Sequence, residues 1–169
     1  ANDDKIQSEI DLIESENIAS NVEVSANGLS FVGPNISESS ASLLSINPDL
    51  INFHIEGLKS SKSGLISHRL QLSLIHNADQ KRSFISANLC DQWSRCDGKS
   101  LEIINISAIA SNCSSSRCDY KEIVGLNLTD DFLKDYIDKG FTISFNSKKS
   151  SSKVKISKAY LTGYLKVTQ

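Results

Sequence analysis

The pattern of apolar and polar residues changes from helical spacing to strand-like alternation near residue 21. Before that point four apolar residues recur near helical spacing with acidic residues between them, a pattern that predicts one short helix or a mobile leader over residues 4–17. These apolar residues are Ile6, Ile10, Leu12 and Ile13. The chain is therefore expected to divide into an acidic amphipathic leader, residues 1–18, and a single domain, residues 19–169.

From residue 21 onward the apolar positions alternate with a period of two. NVEVSANGLSFVG alternates on both sides of Asn27-Gly28, a dipeptide that favours a type I′ turn, and predicts a β-hairpin. Residues 34–49, rich in serine and with two prolines, are expected to be mostly loop, with one short strand or turn around residues 43–46. LINFHIEGL and LISHRLQLSLIHN predict half-buried strands, with Leu70, Leu72 and Leu74 facing the core in the second.

Further strands are predicted at a regular rhythm that is typical of sandwiches and barrels, and one helix interrupts them. The remaining strand-like stretches are SFISANL, SLEIINISAIAS, YKEIVGLNL, FTISFN and KVKIS. Thr129 is a suitable N-cap and Gly140 a suitable end for a helix near residues 130–139. The apolar end, AYLTGYLKV, is expected to close the core. We predict an all-β fold, an antiparallel β-sandwich of Ig-like or jelly-roll type, with a closed barrel as the alternative.

Composition supports one globular domain. The chain has 169 residues, of which 39% are hydrophobic and 22% charged, and it has no apolar run long enough for a membrane helix. The charge is uneven, because residues 1–56 carry ten acidic and one basic side chain whereas residues 57–169 carry ten acidic and seventeen basic ones. This asymmetry indicates that the acidic front lies against the basic remainder, reaches a basic partner, or is simply solvated. The basic residues lack interleaved aromatics, so no nucleic-acid partner is expected.

Four cysteines in two close pairs favour disulfides over metal binding. We predict that Cys113 pairs with Cys118 across a hairpin with a four-residue loop, which leaves Cys90 to pair with Cys96. Gaps of five and four residues without a nearby histidine disfavour zinc, and no cofactor is expected. Disulfides indicate an oxidising compartment, so we expect a secreted or periplasmic protein, with lipid attachment before residue 1 left open.

Two features of the sequence bear on processing of the chain: its N-terminal residue and its glycosylation sequons. The chain begins with Ala and contains no Met, so we expect a targeting segment to have been removed. Four Asn-x-Ser/Thr sequons are candidate glycan acceptors, although a chain rich in serine and asparagine contains them easily by chance. They are Asn35, Asn105, Asn112 and Asn127.

The first cysteine loop contains the strongest candidate for a binding site. Trp93 is the single tryptophan, and a loop pinned by a disulfide can hold an indole ready to stack on a sugar or to anchor a protein. The alternative is that the indole folds back over its own disulfide or the end of the sheet. The candidate binding residues are Asp91, Gln92, Trp93 and Arg95, joined by Arg117 if both cysteine loops gather at one end of the sandwich.

Catalytic signatures are weak. DGKS at 97–100 lacks the earlier glycine of a phosphate loop, and His68 and His76 are too far apart on one strand to share a metal. Glu56, Glu102 and Glu122 are more often exposed strand carboxylates than an acid and base pair. We therefore expect a non-catalytic binding domain for a protein or glycan. The alternatives are a structural component of a cell-envelope or secretion assembly that docks through its acidic N-terminal segment and, third, a hydrolase with a carboxylate pair.

Overall fold

The computed structural model describes residues 2–40, 49–91 and 95–169, and the expected strand or turn around residues 43–46 lies outside them. The helices are α1 Asn2–Ser20, α2 Asp130–Asp135 and α3 Lys158–Thr168. The strands are β1 Glu23–Val24, β2 Ser30–Val32, β3 Ile36–Ser40, β4 Asp49–Lys59, β5 Ile66–Ala78, β6 Ser86–Cys90, β7 Ser100–Leu101, β8 Ile103–Ser114, β9 Arg117–Thr129, β10 Phe141–Asn146 and β11 Ser151–Ile156.

The strands form two antiparallel sheets. Sheet A has the order β1-β2-β4-β5-β9-β8, and β3 also pairs with β4. Sheet B has the order β11-β10-β6-β7. Neither order closes on itself within the described residues, so the barrel alternative is not realised there. The expected antiparallel, mostly β fold is confirmed in this coarse form, whereas the Ig-like or jelly-roll type is not established.

A single hydrophobic core joins both sheets and α3. The alternation predicted from the sequence is realised in β4 and β5, where Ile55, Leu70, Leu72 and Leu74 are fully buried. Sheet B contributes residues such as Phe145 to the same cluster. Because successive side chains of a strand point to opposite faces, the polar residues between these positions lie on the outer faces of the sheets.

The three helices agree with the sequence expectation only in part. The helix expected near residues 130–139 is present as α2 but ends at Asp135. The Thr129 hydroxyl accepts a hydrogen bond from the Phe132 amide as expected, and residues 136–139 form turns before Gly140, whose φ is +73°. The predicted N-terminal helix is present and longer than expected. The apolar C-terminal segment closes the core as expected, but it does so as α3, whose N-cap is Ser157. α1 packs against α3, where Gly163 lies close to Ser15 and Ile18.

Two tyrosines of α3 reach the sheet through positions occupied by glycine. Between β2 and β3 the edge of β4 is interrupted, and there the Tyr160 hydroxyl accepts a hydrogen bond from the Ile55 amide at 3.0 Å and donates one to the Pro34 carbonyl at 2.9 Å. A β-carbon at Gly33 would collide with that hydroxyl. The Tyr164 hydroxyl lies in the same way against Gly57. Gly33 therefore lets Tyr160 complete the hydrogen bonding of the broken sheet edge, whereas Gly57 makes room for the Tyr164 hydroxyl, which bonds His68 Nδ1 at 2.8 Å.

Two turns and one strand depart from the sequence prediction. The first hairpin does not have a two-residue type I′ turn at Asn27-Gly28, because the loop runs from 26 to 29 and only Gly28 has positive φ. The second is tighter than the predicted four-residue loop, since Ser114 pairs with Arg117. Positive φ at both Ser115 and Ser116 makes that turn the primed type. β3 also lies where loop was expected.

Candidate recognition groove

Both predicted disulfides are present. Cys90 is bonded to Cys96 and Cys113 to Cys118, and no cysteine of the described residues is free. The zinc alternative therefore does not hold for these four residues. Two disulfides indicate an extracellular or otherwise oxidising compartment.

The first cysteine loop is closed by hydrogen bonds as well as by its disulfide. The Asp91 amide donates to the Arg95 carbonyl at 2.7 Å, and the Arg95 amide donates to a carboxylate oxygen of Asp91 at 2.9 Å. The structure thus brings Asp91 and Arg95 together. Gln92 and Trp93 lie outside the described residues, so their part in a binding site stays a prediction.

Arg117 belongs to a different end of the molecule. Its guanidinium bonds the side-chain and backbone oxygens of Asn77, both at 2.9 Å, beside the disulfide at the start of β9. Cys90, by contrast, pairs with Thr142. The residue before Thr142, Phe141, meets Phe132 of α2 edge to face, so Cys90 lies near the other end of β9, where α2 begins. At 3.3 Å per residue, the eleven steps of β9 from Cys118 to Thr129 span about 36 Å. The two cysteine loops therefore do not gather at one end.

A groove of about 860 Å³ lies beside the first cysteine loop. This volume is in the range of small-molecule sites. β6, β10 and β11 form one side of the groove and the segment after α2 forms the other. Its lining residues are Leu89, Cys90, Asp91, Gly98, Tyr136, Lys139, Gly140, Phe141, Thr142 and Lys155.

An aromatic wall lines one side of this groove. It consists of Tyr136 and of Phe141, which is only 5% exposed, and Phe132, which is not among the lining residues, packs against both rings. The rings of Phe132, Tyr136 and Phe141 lie 4.8 to 5.7 Å apart between centroids. The cluster forms because Gly140 reverses the chain after α2, with its amide bonded to the Tyr136 carbonyl at 2.8 Å. The ammonium group of Lys139 lies 5.7 Å from the centre of the Tyr136 ring. This wall offers an apolar surface with a cation over it.

Strand pairing places the other side of the groove on the outer face of sheet B. Cys90 is opposite Thr142, which is opposite Lys155, so these three side chains lie in one row on that face. Farther along, Asn146 joins the strands by donating to Ser86 and Asn88. The face therefore presents amides, hydroxyls and a lysine next to the aromatic wall. Such a surface suits a ligand with hydrogen-bonding groups, a planar or apolar face and negative charge.

The sequence did not point to Tyr136, Lys139 or Lys155 as site residues. Tyr136 lies within the helix predicted near residues 130–139, and Lys155 within the predicted strand KVKIS. Their meeting depends on the pairing of β10 with both β6 and β11, and β6 lies about fifty residues before β10 in the chain. The one local signal for the aromatic wall was the presence of aromatic residues in the predicted helix just before Lys139-Gly140.

Two buried histidines form separate networks. His68 Nε2 donates to Asp130 and Nδ1 accepts from the Tyr164 hydroxyl, both at 2.8 Å, beside a second cavity of about 770 Å³. His76 Nε2 donates at 2.6 Å to Glu122, which also accepts from the amides of Arg82 and Ser83. His76 Nδ1 has no partner among the described residues. No group of residues in the described part has the arrangement of a metal site.

These environments shift the pKa values of their groups. Desolvation outweighs the bond to Asp130 and lowers the pKa of His68. Burial alone would raise the pKa of Glu122, but the hydrogen bonds from His76, Ser83 and Arg82 outweigh it, so that pKa lies below its ordinary value. Desolvation raises the pKa of Tyr160 and of Tyr164. All four groups therefore keep their ordinary charge state at neutral pH.

The carboxylates considered for catalysis do not come together. Glu122 faces the core from β9, whereas Glu56 lies on the outer face of β4 and contacts His54 at 3.3 Å. Glu102 lies between β7 and β8 and is exposed. These three residues therefore form no acid and base pair.

The chain matches no protein-family model, no curated protein and no solved structure. Among the described residues, no helix combines the length and the apolar character needed to span a membrane.

Proposed function

We propose that the protein is a secreted or periplasmic binding module without catalytic activity, and that its recognition surface is the groove beside the Cys90–Cys96 loop. The observation that carries this proposal is the juxtaposition of an aromatic wall, a polar sheet face and two lysines at one disulfide-closed loop. A sandwich-like packing of the two sheets, which their common core supports, would hold these parts in fixed positions.

The groove favours a ligand with negative charge. Lys139 and Lys155 line it together with one acidic residue, Asp91, so its cationic groups outnumber the anionic one. An aromatic ring with an apolar face suits the stacking of a sugar ring or an apolar side chain. The proposed partner is accordingly an acidic glycan or an acidic protein segment, and Trp93 and Arg95 of the same loop are expected to contact it.

The binding test compares lysines inside and outside the groove. Disulfide-intact protein is screened against arrays of acidic and neutral glycans and peptides, first as wild type and then as Lys155→Glu. Lys62→Glu, at an exposed turn outside the groove, is the matched control. We expect the affinity for acidic ligands to fall at least tenfold in Lys155→Glu and to stay unchanged in Lys62→Glu. Equal binding by both variants, or binding of neutral ligands alone, contradicts the proposal.

Trp93 needs its own variant. Trp93→Ala is expected to reduce binding of the same ligand while leaving the melting temperature nearly unchanged. A large loss of stability without a specific loss of binding would instead mean that the indole belongs to the core.

α1 supports the second candidate function, a structural component that docks through its acidic N-terminal segment. Ile6, Ile10 and Ile13 fall on one stripe of the helix, and all three are exposed. Among the residues that the structure describes, no acidic side chain of α1 forms a salt bridge. An exposed apolar stripe flanked by carboxylates that form no salt bridge within the described part of the chain suits a basic partner with an apolar groove.

Point variants test this second candidate better than deletion of the leader. Removing residues 1–18 would also remove the packing of α1 against α3, so a loss of assembly could reflect a loss of folding. Ile6→Gln with Ile13→Gln leaves Ser15 and Ile18 in place. Loss of assembly in cell-envelope fractions with an unchanged melting temperature would support this candidate, and unchanged assembly would remove it.

A further inference from the structure

β8 is an edge strand that lacks the charges, the prolines and the short length that commonly protect sheet edges, although its register with β9 shifts at two points. It lies at the end of sheet A and is twelve residues long, whereas β11 has six residues and β7 has two. Its sequence, IINISAIASNCS, contains neither proline nor a charged residue. β11, in contrast, carries Lys153 and Lys155. Natural sheets commonly guard edges with short strands, lysine or proline, because an open edge pairs with other strands.

The open side of β8 is regular and accessible in its middle. The register with β9 shifts between Asn105 and Ser107 and again between Ser111 and Ser114, which leaves Ser107–Ser111 as an uninterrupted stretch. No other backbone hydrogen bond involves this stretch among the described residues. Every second residue there directs its N–H and C=O away from β9. The stretch therefore offers a row of unpaired donors and acceptors.

Two isoleucines beside this edge share the outer face of sheet A. The first register shift inserts Ile106, whose side chain points toward Gly125, and Ile109 pairs with Lys121 on the same face. Ile109 is 60% exposed. The edge thus combines unpaired backbone groups with apolar side chains that are exposed to solvent.

We propose that β8 pairs antiparallel with β8 of a second copy of the chain, about a two-fold axis near Ile109, so that sheet A continues through both copies. In such pairing Ile109 lies opposite its own symmetry mate, and residues 107 and 108 lie opposite residues 111 and 110 of the other copy, so a charge at the centre of the strand would face a like charge. β8 carries no charge, so self-pairing brings no like charges together. The pairing also places the Ile109 side chains of the two copies side by side, a favourable arrangement for β-branched residues.

The size of the contact sets the expected strength. A pairing of one strand per copy is small compared with the roughly 1,200 to 2,000 Å² of stable interfaces. We therefore expect a reversible dimer with a dissociation constant on the order of 10 to 100 µM. The recognition groove belongs to sheet B and stays open in this dimer. This dimer does not depend on the proposed function, but it would give a multivalent ligand two grooves.

Sedimentation analysis of the disulfide-intact protein from about 1 µM to 1 mM tests the dimer. We expect the wild type to shift from monomer to dimer over this range and Ile109→Lys to stay monomeric. Leu58→Lys, at a residue 62% exposed on β4, is the control and should dimerise like the wild type. A monomer at all concentrations overturns the proposal, and so does a dimer that survives Ile109→Lys or is lost equally in the control.

Hydrogen exchange on the wild-type protein tests the β8 interface without relying on Ile109→Lys. The amides of Ser107–Ser111 that point away from β9 should exchange at least tenfold more slowly at dimeric than at monomeric concentration in the wild type. If protection appears elsewhere, or if these amides exchange equally fast at both concentrations, β8 is not the interface.

Discussion

Replacing Tyr160 with Phe tests whether its hydroxyl repairs the broken edge of sheet A. The change removes one oxygen and leaves the ring in the core. The Ile55 amide, in a fully buried residue, then loses its partner, and so does the half-buried Pro34 carbonyl. A buried backbone group without a partner costs about 1 to 3 kcal/mol. Since water can reach Pro34 more easily, we expect a total loss of about 2 to 4 kcal/mol in the free energy of unfolding.

Urea unfolding followed by circular dichroism, under non-reducing conditions, measures this loss. We expect a lower midpoint with an unchanged denaturant slope, because the surface exposed on unfolding stays the same. Tyr136→Phe is the matched control, since the Tyr136 hydroxyl has no hydrogen-bond partner among the described residues, and it should change stability by less than about 0.5 kcal/mol. If Tyr160→Phe is as stable as the control, the hydroxyl does not hold the edge together.

Three further changes probe the buried networks and the second cysteine loop. Glu122→Gln should lose about 2 to 4 kcal/mol in urea unfolding, because it removes the charge that accepts three hydrogen bonds, whereas the exposed Glu102→Gln should be nearly neutral and equal effects would refute this role. His68 has a lowered pKa in the fold, so the unfolded chain binds the proton first, and stability should fall as pH drops below about 6.5. His68→Asn should weaken that pH slope, and an unchanged slope would contradict the assignment. Replacing Cys113 and Cys118 together with Ala should cost about 2 kcal/mol in the same assay, because the loop they close is short, and a loss of folding would show a larger role.

The strands and both disulfides were predictable because their signals are local. Alternation of apolar residues identified the buried faces of β4 and β5, and the cysteine spacing gave both pairs. The segment that forms α3 was predicted only to be apolar and to close the core, and its helical structure was missed. Its apolar positions recur at 160, 161, 164 and 165, a helical spacing, but the segment is short and follows a run of strands. The turn geometries were wrong at Asn27-Gly28 and at Ser115-Ser116, since sheet twist and pairing choose a turn as strongly as its residues do.

The candidate site was only partly predictable. The first cysteine loop was identified from its own residues, because the disulfide and the tryptophan lie close together in the chain. The groove beside it depends on Tyr136 and Lys155, which reach the loop through the pairing of β10 with β6 and β11. No local pattern encodes such pairing. The networks of His68 and Glu122 were missed for the same reason, since their partners lie on other strands and helices.

The most direct test of the recognition groove is to map a bound ligand on the protein by NMR. An acidic glycan or peptide selected by the arrays is titrated into disulfide-intact protein labelled with ¹⁵N. We expect the largest amide shifts on Cys90, Asp91 and residues 136–142, together with Lys155. Shifts concentrated on α1 or β8, with these residues unchanged, would contradict this expectation.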